Sequence, residues 1–337
     1  MSQVELLPWS EAVLDRATER RMEEGFLDHL LAGSGARAMV LAGGRTLIRA
    51  GGIVYLDPDR LPAANLTVFL GSTPADGSQA GIADTSTDDG TLRPGSDVVL
   101  LVLSDEAAAH VLSLAPAGTQ WAGFREAALE LNSADSGIFI EANAIANWHL
   151  SHTHCPRCGT RTEIETAGWV RRCPADNSQH FPRTDPAIIV AVVGPDDRIL
   201  LGGGSNWDAN RYSTLAGFVE PGESLEQAVV REIAEEVGVE VHTPRYLGSQ
   251  AWPFPASLML GFIARTEDTV ATPDGVEVTR ARWFSRSEIQ DAVSRGEVVI
   301  STRTSIARAL IEHWYGGRIE DLQVQPVAAP TRIAERN

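Results

Sequence analysis

The chain has 337 residues, 43% hydrophobic and 22% charged, an ordinary globular composition with room for two or more domains. A formal net charge of −17 argues against a protein that grips nucleic acid along its backbone, since that affinity needs a basic stripe. The opening stretch MSQVELLPWSEAVLDRATERR lacks an apolar region behind basic residues, and no run reaches the ~18 apolar residues of a membrane span, so a soluble, cytoplasmic protein is expected.

In chain order, residues 1 to about 35 predict an amphipathic helix, with Val13, Leu14, Met22, Phe26, Leu27 and Leu30 as its apolar side. Residues 36–71 (ARAMVL, TLIRA, GIVYL, LTVFL) predict strands separated by glycine and Asp-Pro turn signals. Residues 72–96 are dominated by Gly, Ser, Thr, Asp and Pro and predict a mobile surface loop. A buried strand follows at SDVVLLVLS, completing a β-rich N-terminal domain over residues 1–120. Helical periodicity from about Trp121 to Leu150 predicts a helical connector, residues 121–150, on which Arg125 reads as a surface arginine with a buried stem.

Residues 151–182 hold all three cysteines, the wrong arithmetic for a secreted disulfide scaffold. Cys155-Pro-Arg-Cys158-Gly159 is followed, after fourteen residues, by Cys173-Pro-Ala-Asp176. Two short knuckles at that separation predict a zinc ribbon, whose tetrahedral site takes four ligands. Asp176 occupies the fourth position, with His154 or His180 as other donors and a metal-free ribbon held by packing as the bland alternative. A closed site of this kind is structural.

Residues 183–320 read as a further domain and residues 321–337 as a patternless tail. DPAIIVAVVG, RILLGGG and TLAGFVE predict strands; the loop NWDANRYS between the last two supplies Trp207 and Arg211, read as surface. Later, SLMLGFIA and RARWF predict strands, and SRSEIQDAVSRG and TSIARALIEHWY predict helices.

The informative stretch is residues 217–239, GFVEPGESLEQAVVREIAEEVGV. Ser224 with Gln227 forms a capping box, Val230, Ile233, Ala234 and Val237 supply an apolar face, and Gly238 ends the helix. Glu232, Glu235 and Glu236 share one side, where like charges at i, i+3 and i+4 oppose the helix by about 0.2–0.5 kcal/mol each. Two of them lie in the last turn, where the helix dipole disfavours anions. A solvated acidic face with Arg231 paired to Glu235 is the bland explanation. A divalent cation between the carboxylates would instead reverse the sign.

The stretch matches the Nudix box at its fixed positions: Gly217, Glu223, Arg231, Glu232, Ile233, Glu235, Glu236, Gly238 and Val239. Downstream, Ser249-Gln250-Ala251-Trp252-Pro253-Phe254-Pro255-Ala256-Ser257 is similar to the SQPWPFPxS signature of the NADH pyrophosphatase family, which also sets a zinc ribbon before its Nudix domain and a separate domain before the ribbon. The chain thus resembles NADH pyrophosphatases of the Nudix hydrolases over about residues 121–316. Ala251 replaces a proline of the signature, Phe181 stands where tyrosine is common, and Asp176 replaces a cysteine.

The resemblance implies an α+β protein in which a Nudix fold, a mixed β-sheet sandwiched between α-helices, follows the ribbon and a β-rich domain. It implies metal-dependent hydrolysis of NAD(H) to AMP and nicotinamide mononucleotide, removal of NAD caps from RNA, and a homodimer. Magnesium or manganese would be held by Glu232, Glu235, Glu236, Glu277 and the Ala216 carbonyl, with Arg231 orienting the glutamates and zinc in the ribbon on Cys155, Cys158, Cys173 and Asp176. Glu235 is a ligand or the general base. Residues 250–257, Phe181, Ala307 and Arg125 correspond to substrate contacts; the proline-fixed Trp252 and Phe254 suit stacking on a ring or, more blandly, packing a sheet edge. Rival readings are a Nudix hydrolase for ADP-ribose or dinucleoside polyphosphates, a non-catalytic nucleotide sensor, and a zinc-ribbon nucleic-acid adaptor, which the charge disfavours.

Overall fold

The computed structural model describes residues 14–33, 35–76 and 90–322. Val13, much of the expected loop at 72–96 and nearly all of the tail lie outside them. By internal contacts the chain forms two units, residues 1–188, 218–222 and 247–261 in one and residues 189–217, 223–246 and 262–337 in the other.

In the first unit, β1 (Ala36–Ala42), β2 (Arg45–Arg49), β3 (Gly52–Ile53), β4 (Leu66–Ser72), β5 (Asp97–Val102) and β6 (Gln120–Gly123) form one sheet, ordered β3-β2-β1-β5-β4 with β6 beside β2. β1 and β5 run parallel, Met39 opposite Leu100, and the other pairs are antiparallel. Alternate residues feed two cores, as the two-residue strand period requires. Met39, Leu41, Val68, Val98 and Leu100 face one cluster; Val40, Leu47, Phe69, Val99 and Leu101 face the other.

The first cluster is covered by α4 (Ser133–Ser151), through Ile138, Phe139, Ile145 and Trp148. Asn132 caps this helix by accepting the Asp135 N–H at 2.8 Å. Asp135 in turn accepts the Ile53 N–H at 3.0 Å and the Tyr55 hydroxyl at 2.7 Å. The second cluster takes Phe26 of α1 (Phe26–Ala32) and Val111 of α2 (Asp105–Leu114).

The structure departs from two expectations and adds one helix. Among the described residues the N-terminal helix is only α1 and a 3-10 turn at Arg20–Met22, because Gly25 interrupts it at φ +70°; Met22 is 77% exposed. Trp121 lies in β6, not in a helix, since residues 120–123 pair with β2; the helical pattern then yields α3 (Phe124–Ala127) before α4. Helix α2, started by Ser104 accepting the Ala107 N–H, went unpredicted although Ser104, Asp105 and Glu106 are an ordinary helix start.

The ribbon contributes β7 (Glu163–Glu165), β8 (Val170–Arg172) and β9 (Gln179–His180) as a three-stranded sheet. It is bound into the first unit. Trp169 Nε1 donates to Phe69 O at 2.8 Å, and Gly168, at φ +96°, lies so close to Val68 that a Cβ there would meet it at 2.7 Å. Arg171 donates to His149 Nδ1 of α4 at 2.9 Å, leaving His149 Nε2 to donate to Gly168 O at 2.8 Å.

The remaining strands, β10 (Asp185–Val193), β11 (Ile199–Gly204), β12 (Leu215–Phe218), β13 (His242–Trp252), β14 (Ser257–Arg265) and β15 (Val278–Phe284), form a sheet ordered β13-β14-β10-β11-β15 with β12 beside β10. Helices α5 (Leu225–Val237), α6 (Arg286–Ser294) and α7 (Ile306–Tyr315) belong to the second unit, and no helix among the described residues is long and apolar enough to cross a membrane.

Candidate active site

Helix α5 starts and stops where its sequence dictates. Ser224 accepts the Gln227 N–H at 3.2 Å while Gln227 accepts the Ser224 N–H at 2.8 Å, and Gly238 closes the helix at φ +64°. Its buried face is rotated from the expected one. Ala228, Val229, Ile233 and Val237 are buried, whereas Val230 is 39% exposed and Ala234 is also exposed. The rotation carries Glu236 into the buried side, 7% exposed, and leaves the Glu235 side chain 62% exposed.

The three glutamates therefore differ. Glu235 pairs with Arg231 Nη1 at 3.0 Å, as the bland reading had it, but the same guanidinium reaches Glu232 at 3.0 Å and holds Glu223 at 2.5 and 3.1 Å. Hydrogen bonding to Glu223 foremost keeps Arg231 firmly protonated. Glu232 folds back against β12. A Cβ on Gly217 would overlap its carboxylate, so the glycine of the box is a cradle for that side chain.

Glu236 is the most perturbed group of the set. Burial first, then the charges of Glu232, Glu277 and Asp274, push its carboxyl up to about 8, and Oε2 has no hydrogen-bond partner among the described residues. Burial likewise raises Glu232. Hard oxygen donors crowded together, with a buried one unpaired, fit a divalent cation that prefers carboxylates. Glu277 is delivered by a loop whose turn the periodicity of the chain does not reveal: Asp274 accepts the N–H groups of Val276, Glu277 and Val278 at 3.2, 3.2 and 2.9 Å, and donates its own to Glu236 O at 2.9 Å. The signal was present as Pro273-Asp274-Gly275, a turn sequence directly before the glutamate.

A cleft of about 280 Å³ is lined by Glu236, Glu277, Ala216, Thr214 and the loop residues Ser205, Asn206 and Trp207. Ala307, at the start of α7, is buried and is not among the residues lining it.

In the ribbon, the donor atoms of Cys155, Cys158, Cys173 and Asp176 all lie within 4.8 Å of one another. Each knuckle is closed by an amide turned back on the first cysteine, Gly159 N–H to Cys155 O and Asn177 N–H to Cys173 O, both 2.9 Å, with Gly159 and Asn177 at φ +74° and +58°. The Ser178 hydroxyl and amide hold Asp176 ionised, well below the usual carboxylate range. Three thiols and a carboxylate at that spacing suit tetrahedral zinc. His154 and His180 are hydrogen-bonded to Thr153 and Ser178 instead.

The signature stretch belongs to the first unit, as does the exposed Phe181. Gln250 and Pro253 are buried, Trp252, Phe254, Ala256 and Ser257 partly so, and Ala251 and Pro255 exposed. Trp252 and Phe254 pack against the cluster covered by α4, so the sheet-edge role is real. Their rings are 5.1 Å apart, Phe254 meets Phe124 at 6.1 Å, and the Arg125 guanidinium lies 5.8 and 5.3 Å from the Trp252 and Phe254 rings. Asn147 of α4 donates from Nδ2 to Pro253 O at 2.9 Å and Pro255 O at 3.2 Å, gripping the turn that carries both rings.

Three family models match the chain in sequence order: an NADH pyrophosphatase-like rudimentary NUDIX domain over residues 28–148, an NADH pyrophosphatase zinc ribbon domain over 150–181 and a NUDIX domain over 183–302. A NAD-capped RNA hydrolase NudC of Stutzerimonas stutzeri is 39% identical over 202 residues, which are 60% of this chain and 70% of that one. The chain belongs to the NADH pyrophosphatase family of Nudix hydrolases. A second NADH pyrophosphatase relative, the NAD-capped RNA hydrolase NudC of Mycobacterium tuberculosis, is 39% identical over 194 residues, 55% of this chain and 62% of that one. The human NAD-capped RNA hydrolase NUDT12 is 38% identical over 200 residues; the match takes 56% of this chain but only 43% of the human protein's length.

Proposed function

We propose that this protein hydrolyses the pyrophosphate of NAD(H) to AMP and nicotinamide mononucleotide and removes NAD caps from RNA 5′ ends. The observation that carries this is Glu236, a buried carboxyl with an unpaired oxygen set among Glu232, Glu277 and Asp274. Magnesium or manganese bound there would withdraw charge from the phosphorus and acidify a water. Glu232, Glu236 and Glu277, with the Ala216 carbonyl, would hold it. Glu235, exposed and paired to Arg231, is the better placed for proton transfer. Arg231 fixes the glutamates and does not itself need the substrate.

The substrate residues of the proposal are 250–257, Phe181, Ala307 and Arg125, supported by membership of the family. Zinc on Cys155, Cys158, Cys173 and Asp176 is proposed as structural, supported by the donor set. The proposal also takes the chain as a cytoplasmic homodimer with an N-terminal domain over residues 1–120, a connector over 121–150, a ribbon over 151–182 and the catalytic domain over 183–320.

Chromatography of products from NADH, with and without magnesium or manganese, tests the reaction. AMP and the reduced mononucleotide are expected only with metal, and Glu236→Gln is expected to lose on the order of 10³-fold or more in kcat. An uncut dinucleotide, or equal rates from the variant, would overturn the proposal.

A further inference from the structure

Trp207 is 40% exposed, yet it lies in the cleft that contains Glu236 and Glu277 rather than on open surface. Its loop is held at several points. Ser205 N–H donates to Glu277 O at 3.2 Å, Arg280 Nη2 donates to Asp208 O at 3.1 Å, and Tyr212 N–H donates to Val299 O at 2.9 Å. The indole rests on β11 where Gly204 has no side chain to lift it. The Arg211 guanidinium lies 5.0 Å from the ring centroid and makes no ion pair among the described residues. A rigid, half-exposed indole beside a metal-binding carboxylate cluster is costly to leave in water and useful to a planar ligand.

A second observation points into the same cleft. Thr214 is 5% exposed and lines it, and its Oγ1 has no hydrogen-bond partner among the described residues. Buried hydroxyls are normally satisfied, so an orphan on a residue in the wall of a cleft marks a contact left for a ligand. The volume, about 280 Å³, falls just short of the roughly 300–1,000 Å³ of pockets that enclose a whole ligand, which suits one end of a dinucleotide.

We infer that this cleft seats one planar heteroaromatic ring of the dinucleotide, stacked on Trp207 and with its polar edge or ribose hydrogen-bonded to Thr214. The inference rests on the hydrolase function proposed above and adds a subsite to it. The ring is either nicotinamide or adenine, which share the chemistry the indole reads. Arg211, with no carboxylate partner among the described residues, supplies positive charge beside the incoming diphosphate.

The test compares wild type, Trp207→Ala, Trp207→Phe and Thr214→Val in steady-state hydrolysis of NADH and of ADP-ribose, with calorimetric titration of AMP and nicotinamide mononucleotide into the manganese-loaded proteins. Stacking of about 1–3 kcal/mol per ring corresponds to roughly 5–150-fold, so Trp207→Ala is expected to raise the NADH KM on the order of tenfold with kcat within about twofold. Trp207→Phe should return to within about threefold of wild type, because it keeps a stacking face. Thr214→Val should raise KM by a smaller factor. If the Trp207→Ala effect disappears on ADP-ribose the ring is nicotinamide; if it persists the ring is adenine. A Trp207→Ala KM within about twofold of wild type on NADH, or a phenylalanine variant as impaired as the alanine one, overturns the subsite. Should wild type leave NADH uncut, the hydrolase proposal fails separately, and the titrations alone decide: weaker binding of either mononucleotide to Trp207→Ala sustains the subsite, and unchanged binding of both overturns it.

Discussion

Gly217 shows how much chemistry one missing methyl permits. The Glu232 carboxylate occupies the space a Cβ would need, so Gly217→Ala must displace the carboxylate without touching its identity. Misplacing a reacting group by about 1 Å costs on the order of 100-fold, and kcat on NADH is expected to fall by that factor in Gly217→Ala. Manganese should also raise the melting temperature of wild type more than that of the variant; equal metal stabilisation and equal kcat would show that the cradle is unnecessary. At this scale the sequence was informative about identity and spacing. Glu232, Glu235 and Glu236 stand out because local energetics count against them. Their unequal burial was not legible, because the phase of α5 is set by which face the sheet accepts. Val229 rather than Val230 turns inward, and Glu236 goes with it.

Among elements, α4 does more than connect. Asn147 donates to the carbonyls on either side of Phe254, and so fixes a turn that proline geometry alone leaves free to pivot. Asn147→Ala removes two hydrogen bonds worth together about 1–3 kcal/mol and is expected to raise the NADH KM several-fold with little change in kcat. A folded Asn147→Ala enzyme with wild-type KM would detach the Trp252–Phe254 turn from substrate binding. Strands written as short, nearly continuous apolar runs between turn signals, such as β1, β4, β5 and β10, were legible, as were the capped helices α5, α6 and α7. β6 was misread because WAGFREAALEL carries a helical period, whereas the open edge of β2 offered residues 120–123 a ladder of hydrogen bonds instead. Tertiary pairing outweighed local preference there.

For the whole molecule, charge bears on how the capped RNA of the proposed function would be held. A net charge of −17 disfavours a basic stripe that neutralises phosphates, so on the proposed function NAD-capped RNA is expected to be gripped by its cap. Raising salt from about 50 to about 200 mM is expected to change kcat/KM on NAD-capped RNA by less than roughly threefold, against the 10³–10⁵-fold expected of a protein making 6–10 phosphate contacts. A steep loss with salt on capped RNA, absent on free NADH, would reveal a backbone-binding surface that the composition hides. The order of parts was legible from motifs, and the family models fall on the same three successive stretches. How the ribbon is anchored was not, because Trp169 and Gly168 carry no pattern that names Phe69 and Val68 as their partners.

That anchoring limits how the polypeptide can be divided. A cut just before the first knuckle looks natural on paper, yet it would strand the indole N–H of Trp169 without its acceptor on β4 and leave Arg171 without the imidazole it addresses. The ribbon and the N-terminal sheet are best inherited, expressed and exchanged together, as a single cassette rather than two.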